Sequence, residues 1–190
     1  MMNLSSAMLM FIAAREGEGD GDKKTPGLQP YLDLVNIWTV GFGHVIYHEG
    51  RRLEGEADFE LAYELFPGLT RTEAVELLRE DCELAVAAVN EGIVGVPTTQ
   101  SEFDAMCSIC FNVGKANFLK SSLLRYHRRG SRAPAAGDPQ RLVTLSKEKL
   151  LPGNAPDQFF AWSFVKKGTV WVQGLYNRRG EERSWYLRPI

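Results

Sequence analysis

Between Tyr31 and His44 the chain reads YLDLVNIWTVGFGH, and no other stretch constrains the fold as tightly. Its aromatic and β-branched residues come in runs too short for helices, and Gly41-x-Gly43 interrupts them. Tyr31–Asp33, Trp38–Phe42 and Val45–Tyr47 are therefore expected as short strands of a small antiparallel sheet. The two glycines permit a tight turn close to other backbone. They are not a dinucleotide-binding fingerprint, because no third glycine follows at the right spacing and no helix opens there.

Around this segment the chain reads as helix and loop. Ser5 or Ser6 can cap a helix through about Arg15, with Leu9, Ile12 and Ala13 on one face and Gly17 past its end. Residues 17–30 (GEGDGDKKTPGLQP) are rich in glycine, proline and charge and read as a loop. Residues 56–65 suit a helix that stops at Phe66-Pro67-Gly68. Thr70-x-x-Glu73 is a capping-box pattern, opening one long amphipathic helix over 70–91 with Ala74, Leu77, Leu78, Ala85, Val86 and Val89 on its apolar side. Further helices are expected over 102–113, 118–127, 140–150, 156–164 and 174–187, with a polar loop over 129–140. The fold class is α+β: a small sheet early, helices elsewhere.

Composition narrows the function classes. The chain has 190 residues, 44% hydrophobic and 24% charged, as in a soluble globular protein, and no apolar run approaches 18 residues. Leu4–Ala14 has the apolarity of a secretory core segment, but no Lys or Arg precedes it and Arg15-Glu16 follows at once, which reads against a signal peptide. Residues 1–110 carry 7 basic and 19 acidic residues, a net −12, and residues 111–190 carry 15 and 5, a net +10. That asymmetry fits either a polyanionic partner for the basic part or two parts that attract each other and are otherwise solvated. No nucleic-acid motif is present. Cys107-x-x-Cys110 sits in an apolar helical pattern without a second cysteine pair, so buried free thiols are expected rather than zinc. The histidines at 44, 48 and 127 are scattered, and neither metal nor cofactor is expected.

Two carboxylates and a hydroxyl are spaced so that short elements could converge them. Glu16 falls at the C-terminal end of the first helix, where the negative end of the macrodipole favours the protonated form that a general acid needs. Asp33 lies in a short strand, and Thr39 follows six residues later with a hydroxyl able to hold water. One acid, one base and a water-holding group are the requirement for cleaving a glycosidic bond. Glu18, also followed by glycine, is a rival for Glu16. His44 reads as a structural, partnered histidine, with Asp81 of the long helix a plausible partner.

These motifs, in order, resemble the phage-type lysozymes (glycoside hydrolase family 24, endolysins). Carrying the resemblance are Glu16-Gly17, Tyr31-x-Asp33, Trp38-Thr39-x-Gly41-x-Gly43-His44, Leu69-Thr70-x-x-Glu73-Ala74, Leu77-Leu78-x-x-Asp81, Glu102-Phe103-Asp104-Ala105, Phe111-Asn112-Val113-Gly114, Phe118-x-x-Ser121-x-Leu123-Leu124 and Gly174-Leu175-x-x-Arg178-Arg179-x-x-Glu182. Together they span most of the chain. The resemblance implies one lysozyme-like domain over 1–190: a β-containing lobe over 17–68, a helical lobe from 1–16 and 85–190, and a connecting helix over 70–91. It implies Glu16 as proton donor, Asp33 as second carboxylate and Thr39 as the water-holding hydroxyl. His44 with Asp81, and Arg178, would be supporting residues, and Phe111, Asn112 and Gly114 would contact substrate. The implied substrate is the β-1,4 bond between N-acetylmuramic acid and N-acetylglucosamine in bacterial peptidoglycan, and inversion is the favoured outcome. The implied setting is a monomer held in the host cytoplasm until a holin-type pore admits it to the periplasm. A lytic transglycosylase and an inactive peptidoglycan-binding module are the alternatives. The chain departs from compact members in the sixteen residues between Glu16 and Asp33, about twice their interval, so the hairpin there is either lengthened or replaced.

Overall fold

The computed structural model describes residues 1–136, 139–165 and 168–189. Its internal packing divides the chain into two compact units, Leu9–Glu83 and Met1–Met8 with Leu84–Ile190. Helix α1 (Ser6–Glu16) begins at Ser5, whose Oγ accepts from Met8 N–H at 3.1 Å while donating to Asp104 Oδ2 at 2.5 Å. It ends at Gly17, whose φ of 81° lets its N–H turn back to Ala13 O at 3.1 Å.

In the Leu9–Glu83 unit, strands β1 (Tyr31–Leu32), β2 (Trp38–Val40) and β3 (His44–Val45) form an antiparallel sheet in that order. The register pairs Tyr31 with Thr39, Leu32 with Trp38, Thr39 with Val45 and Val40 with His44. The stretch expected as a strand over 38–42 stops at Val40, because Gly41-Phe42-Gly43 makes the turn into β3. The stretch over 45–47 is divided: β3 ends at Val45, Ile46 is buried with its N–H on Trp38 O at 2.9 Å and its O accepting from Leu53 N–H at 2.9 Å, and β4 (Tyr47–His48) starts a second hairpin with β5 (Arg51–Arg52). Trp38, Val40, Ile46, Leu53 and Ala62 are buried together, with Leu32, Tyr63, Phe66 and Leu77 packed against them. Burying each of the larger side chains is worth roughly 1.5–3 kcal/mol. The Trp38 indole N–H also donates to Gly55 O at 2.7 Å, and the ring meets Phe59 and Tyr63 edge-on.

Helix α2 (Phe59–Leu65) is preceded by a 3-10 turn, Glu56–Asp58. Asp58 accepts both arms of the Arg51 fork, at 2.7 and 2.8 Å, and Glu54 N–H at 2.8 Å. Those donors hold its carboxyl down to about 2. Helix α3 (Arg71–Asp81) carries the capping box on Thr70 and Glu73. The expected single helix over 70–91 breaks at Cys82, whose N–H is shared between Leu78 O and Arg79 O at 3.1 and 3.2 Å. Helix α4 (Glu83–Gly92) follows.

The second unit centres on α5 (Gln100–Val113) and α9 (Gln173–Tyr186), which pack together. α5 opens two residues before the expected 102 because Thr99 and Glu102 form another capping box. The expected 118–127 helix is two pieces, α6 (Lys115–Leu119) and α7 (Ser122–Arg128), since Ser121 Oγ accepts from Leu124 N–H and starts a new helix. Helix α8 (Pro139–Lys147) ends before Lys149, at φ 59°. Of the loop expected over 129–140, positions 137 and 138 lie outside the described residues. The segment expected as a helix over 156–164 is a 3-10 helix, Pro156–Trp162, followed by an unforeseen hairpin of β6 (Phe164–Val165) and β7 (Val170–Trp171). Phe103, Met106, Ile109, Phe118 and Phe159 are fully buried here. His127 is also buried, between Thr98 Oγ1 at 2.9 Å and Tyr186 Oη at 2.6 Å, and burial lowers it to about 4. All three cysteines are buried free thiols, and burial raises Cys82 and Cys110 to about 12.

Candidate active site

Glu16, Asp33, Thr39, His44 and Asp81 all belong to the Leu9–Glu83 unit. Glu16 is the exposed last residue of α1. Immediately beyond it the chain turns at Gly17, and Gly19 N–H donates to Gly41 O at 2.9 Å in an antiparallel bridge. The loop that leaves Glu16 therefore returns to the end of β2, two residues past Thr39. Gly19 is needed for this closeness, since a Cβ there would lie 2.1 Å from the Tyr31 ring.

The rest of the 17–30 loop is a folded excursion. Asp20 Oδ1 accepts from Asp22 N–H at 3.1 Å and from Gln29 N–H at 3.2 Å. Asp22 caps its own turn through Lys24 N–H at 3.0 Å and the Thr25 hydroxyl at 2.6 Å. Gly21 N–H closes onto Gln29 O, and Leu28 bridges to Leu69 at 2.8 and 3.0 Å. Glu18 accepts from Arg71 Nε at 2.9 Å, which ties the loop to α3.

Asp33 opens the turn between β1 and β2. Its Oδ1 accepts from Val35 N–H and Ile37 N–H, both at 2.9 Å, while its own N–H donates to Ile37 O at 2.9 Å. Both of these bonds fall on the same oxygen, Oδ1. Leu34 and Val35 at the tip are fully and largely exposed. Thr39 is buried, 4% exposed. Its hydroxyl donates to Ile37 O at 3.0 Å, so the remaining capacity of Oγ1 is as an acceptor. Tyr31, its cross-strand neighbour, is a hydrogen-bond partner; burial and the charge of Asp33 raise the Tyr31 phenol. Tyr31 is the residue that sequence reasoning under-used: it packs on Gly19, pairs with Thr39 and precedes Asp33 by two. The strand register was the available signal.

His44 Nδ1 lies 3.0 Å from Asp81 Oδ1 and 3.1 Å from Oδ2, joining β3 to α3. The hydrogen bond to Asp81 raises the imidazole, against a smaller opposing effect of burial. The Gly41-x-Gly43 turn brings β2 and β3 close to α3: a Cβ on Gly41, at φ 61°, would stand 2.9 Å from Ala74 Cβ.

The remaining candidates belong to the other unit. Phe111 and Asn112 close α5, and Gly114 caps it at φ 85° with its N–H on Cys110 O at 2.8 Å. Asn112 Oδ1 accepts from Arg179 Nη2 at 3.0 Å. Arg178 lies 3.3 Å from Glu182, which also accepts from Ser108 at 2.7 Å and pairs with Arg179 at 3.2 Å. Burial pushes Glu182 up while Arg179, Ser108 and Arg178 pull it down. Among the described residues no group of three His, Cys, Asp or Glu could hold a metal ion, and no helix is long and apolar enough to cross a membrane.

The phage lysozyme family's sequence profile matches residues 23–154. The chain belongs to the phage lysozyme family. The match begins after Glu16 and Glu18; it holds Asp33, Thr39, His44, Asp81, Phe111, Asn112 and Gly114, and ends before Arg178. The endolysin of Salmonella phage P22 is 31% identical over 125 residues, 66% of this chain and 73% of its own. Among solved structures, an endolysin from Escherichia coli O157:H7 phage FAHEc1 superposes with a TM-score of 0.67 at 28% identity, over 100% of this chain and 96% of its own. The muramidase domain of SpmX from Asticaccaulis excentricus gives 0.66 at 26% identity, over 100% of both chains. As a phage lysozyme the chain is a glycoside hydrolase with an α+β lysozyme-like fold, acting on peptidoglycan.

Proposed function

We propose that this phage lysozyme is an endolysin that hydrolyses the β-1,4 bond between N-acetylmuramic acid and N-acetylglucosamine, with Glu16, Asp33 and Thr39 as its catalytic residues. The observation that supports this best is the Gly19–Gly41 bridge, which carries the chain from Glu16 back to the strand of Thr39. The Tyr31–Thr39 register then sets Asp33 at the mouth of the adjoining turn. Glu16 protonates the leaving oxygen. Asp33 and Thr39 act on the opposite face of the sugar. Because Thr39 donates to Ile37 O, a water held there donates one hydrogen to Thr39 and one to Asp33 Oδ2, and its lone pair is left for the anomeric carbon. That arrangement is the inverting one. Glu16, not Glu18, is the residue that ends α1 directly before the Gly17 turn, and Glu18 instead ties the loop to Arg71. Phe111, Asn112 and Gly114 bind substrate, Arg178 and the His44–Asp81 pair support the site, and the protein acts as a monomer. Before lysis it resides in the host cytoplasm and reaches the periplasm through a holin-type pore.

Product analysis on purified sacculi tests the reaction. New reducing-end N-acetylmuramic acid, first released as the α-anomer, is the expected product. Release of 1,6-anhydro sugar would indicate a lytic transglycosylase, and binding without release an inactive module. Export is tested by expression in cells with and without a co-expressed holin: lysis without the holin would remove that partner.

A further inference from the structure

From Ala105 to Gly137 the chain carries six basic residues and no acidic one. Two of the six are matched from elsewhere in their unit: Lys115 lies 2.8 Å from Glu91, and Arg132 lies 3.3 Å from Glu102. Among the described residues no acidic side chain pairs with the other four, Lys120, Arg125, Arg128 and Arg129. These four line a single depression of about 390 Å³, with Leu119, Ser121 and Leu124. Arg125 and Arg128 lie in the last turn of α7, where cations meet the negative end of the helix dipole. The dipole effect is confined to that last turn, whereas four cations around one concavity create a positive field suited to a polyanion. Three are arginines at i, i+3 and i+4, so their guanidinium forks share one side of the helix and suit phosphate oxygens bidentately. Among the described residues between 95 and 149 no large apolar side chain is exposed, so this stretch lacks the anchors by which an amphipathic helix enters a bilayer.

We propose that this depression binds a phosphodiester polymer of the bacterial envelope, of the kind attached to wall glycan. The choice of a wall polymer rests on the peptidoglycan reading above; the phosphate chemistry rests on the four cations alone. The test is binding of the full chain to soluble, labelled poly(glycerol phosphate) between 50 and 200 mM salt. Four phosphate contacts at about 0.7 each give a log–log salt slope near −3, or roughly fifty-fold weaker binding over that range. The variant Lys120→Gln/Arg125→Gln/Arg128→Gln/Arg129→Gln is expected to lose binding at least tenfold and to flatten the slope. Lys23→Gln/Lys24→Gln, on the exposed 17–30 loop, is expected to keep both. Cleavage of glycan stripped of phosphate polymer, unchanged in both variants, shows that each is folded. Wild-type binding retained by the quadruple variant overturns the proposal, and so does tighter binding of the wild type to phosphatidylglycerol vesicles than to the polymer. Loss of glycan cleavage by the wild type itself would strike the enzymatic reading instead.

Discussion

Asp33 has two jobs in this account, and two substitutions separate them. Its Oδ1 holds the amides of Val35 and Ile37 at 2.9 Å, and its charge and Oδ2 are proposed to serve catalysis. Asp33→Asn keeps an acceptor for both amides and removes the charge. Asp33→Ala removes both. A hydrogen bond to a charged group is worth roughly 1.5–3 kcal/mol and a neutral one about 0.5–1.5, but Val35 is 71% exposed and water replaces much of what its amide loses. The expected loss of stability is therefore about 0.5 kcal/mol or less for Asp33→Asn and about 1–2 kcal/mol for Asp33→Ala. Removing a general base typically lowers the rate by about 10²–10⁴, so both variants should be nearly inactive while only one is clearly destabilised. Urea unfolding and turbidity loss of suspended, purified sacculi give the two readouts on the same preparations. Full activity in Asp33→Asn would refute the catalytic role. Equal destabilisation of both variants would show that the lost activity reports a damaged turn.

Three further outcomes follow from the same geometry. His44 is raised in the fold from an ordinary value of 6.5, so its bond to Asp81 stabilises fully below that pH and is lost as pH rises through the raised value; Asp81→Asn should flatten this fall in thermal melts, and an unchanged pH profile would contradict it. Gly41→Ala should destabilise by about 2–4 kcal/mol, about 1–2 from the left-handed backbone and about 1–2 from contact with Ala74. Adding Ala74→Gly should relieve the contact part, and strict additivity in denaturant unfolding would exclude it. Thr99→Ala opens the α5 capping box and should lower stability by about 1 kcal/mol, whereas an unaltered urea midpoint would show the cap contributes nothing.

Local rules made much of this fold legible. The Thr70–Glu73 cap, the glycine turn before His44 and the short strands each follow from chemistry within four or five residues. The misses are of two kinds. Some are breaks in otherwise good helical patterns: Cys82 interrupts 70–91 and Ser121 interrupts 118–127, and in each case one residue redirects a single N–H without disturbing the apolar spacing. Others depend on distant partners. Nothing near Gly19 in the sequence announces Gly41, so the closing of the 17–30 excursion could not be read, although its Gly-Asp composition marked it as loop. Arg179 and Glu182 are buried together with Ser108, and Arg179 reaches out to Asn112, against the ordinary expectation that charged residues face water. At the candidate site, the two amides held by Asp33 Oδ1 and the burial of Thr39 could not be read, because both depend on the turn that joins β1 to β2.

Glu16, at the end of α1, is the proposed proton donor on which the rest of the mechanism depends. Glycan cleavage by Glu16→Gln and Glu18→Gln, measured side by side as new reducing ends from purified peptidoglycan, tests it most directly. Glu16→Gln is expected to abolish cleavage in a protein that still folds, while Glu18→Gln, which releases Arg71, retains it. Full cleavage by Glu16→Gln, or its loss in Glu18→Gln, would contradict the assignment.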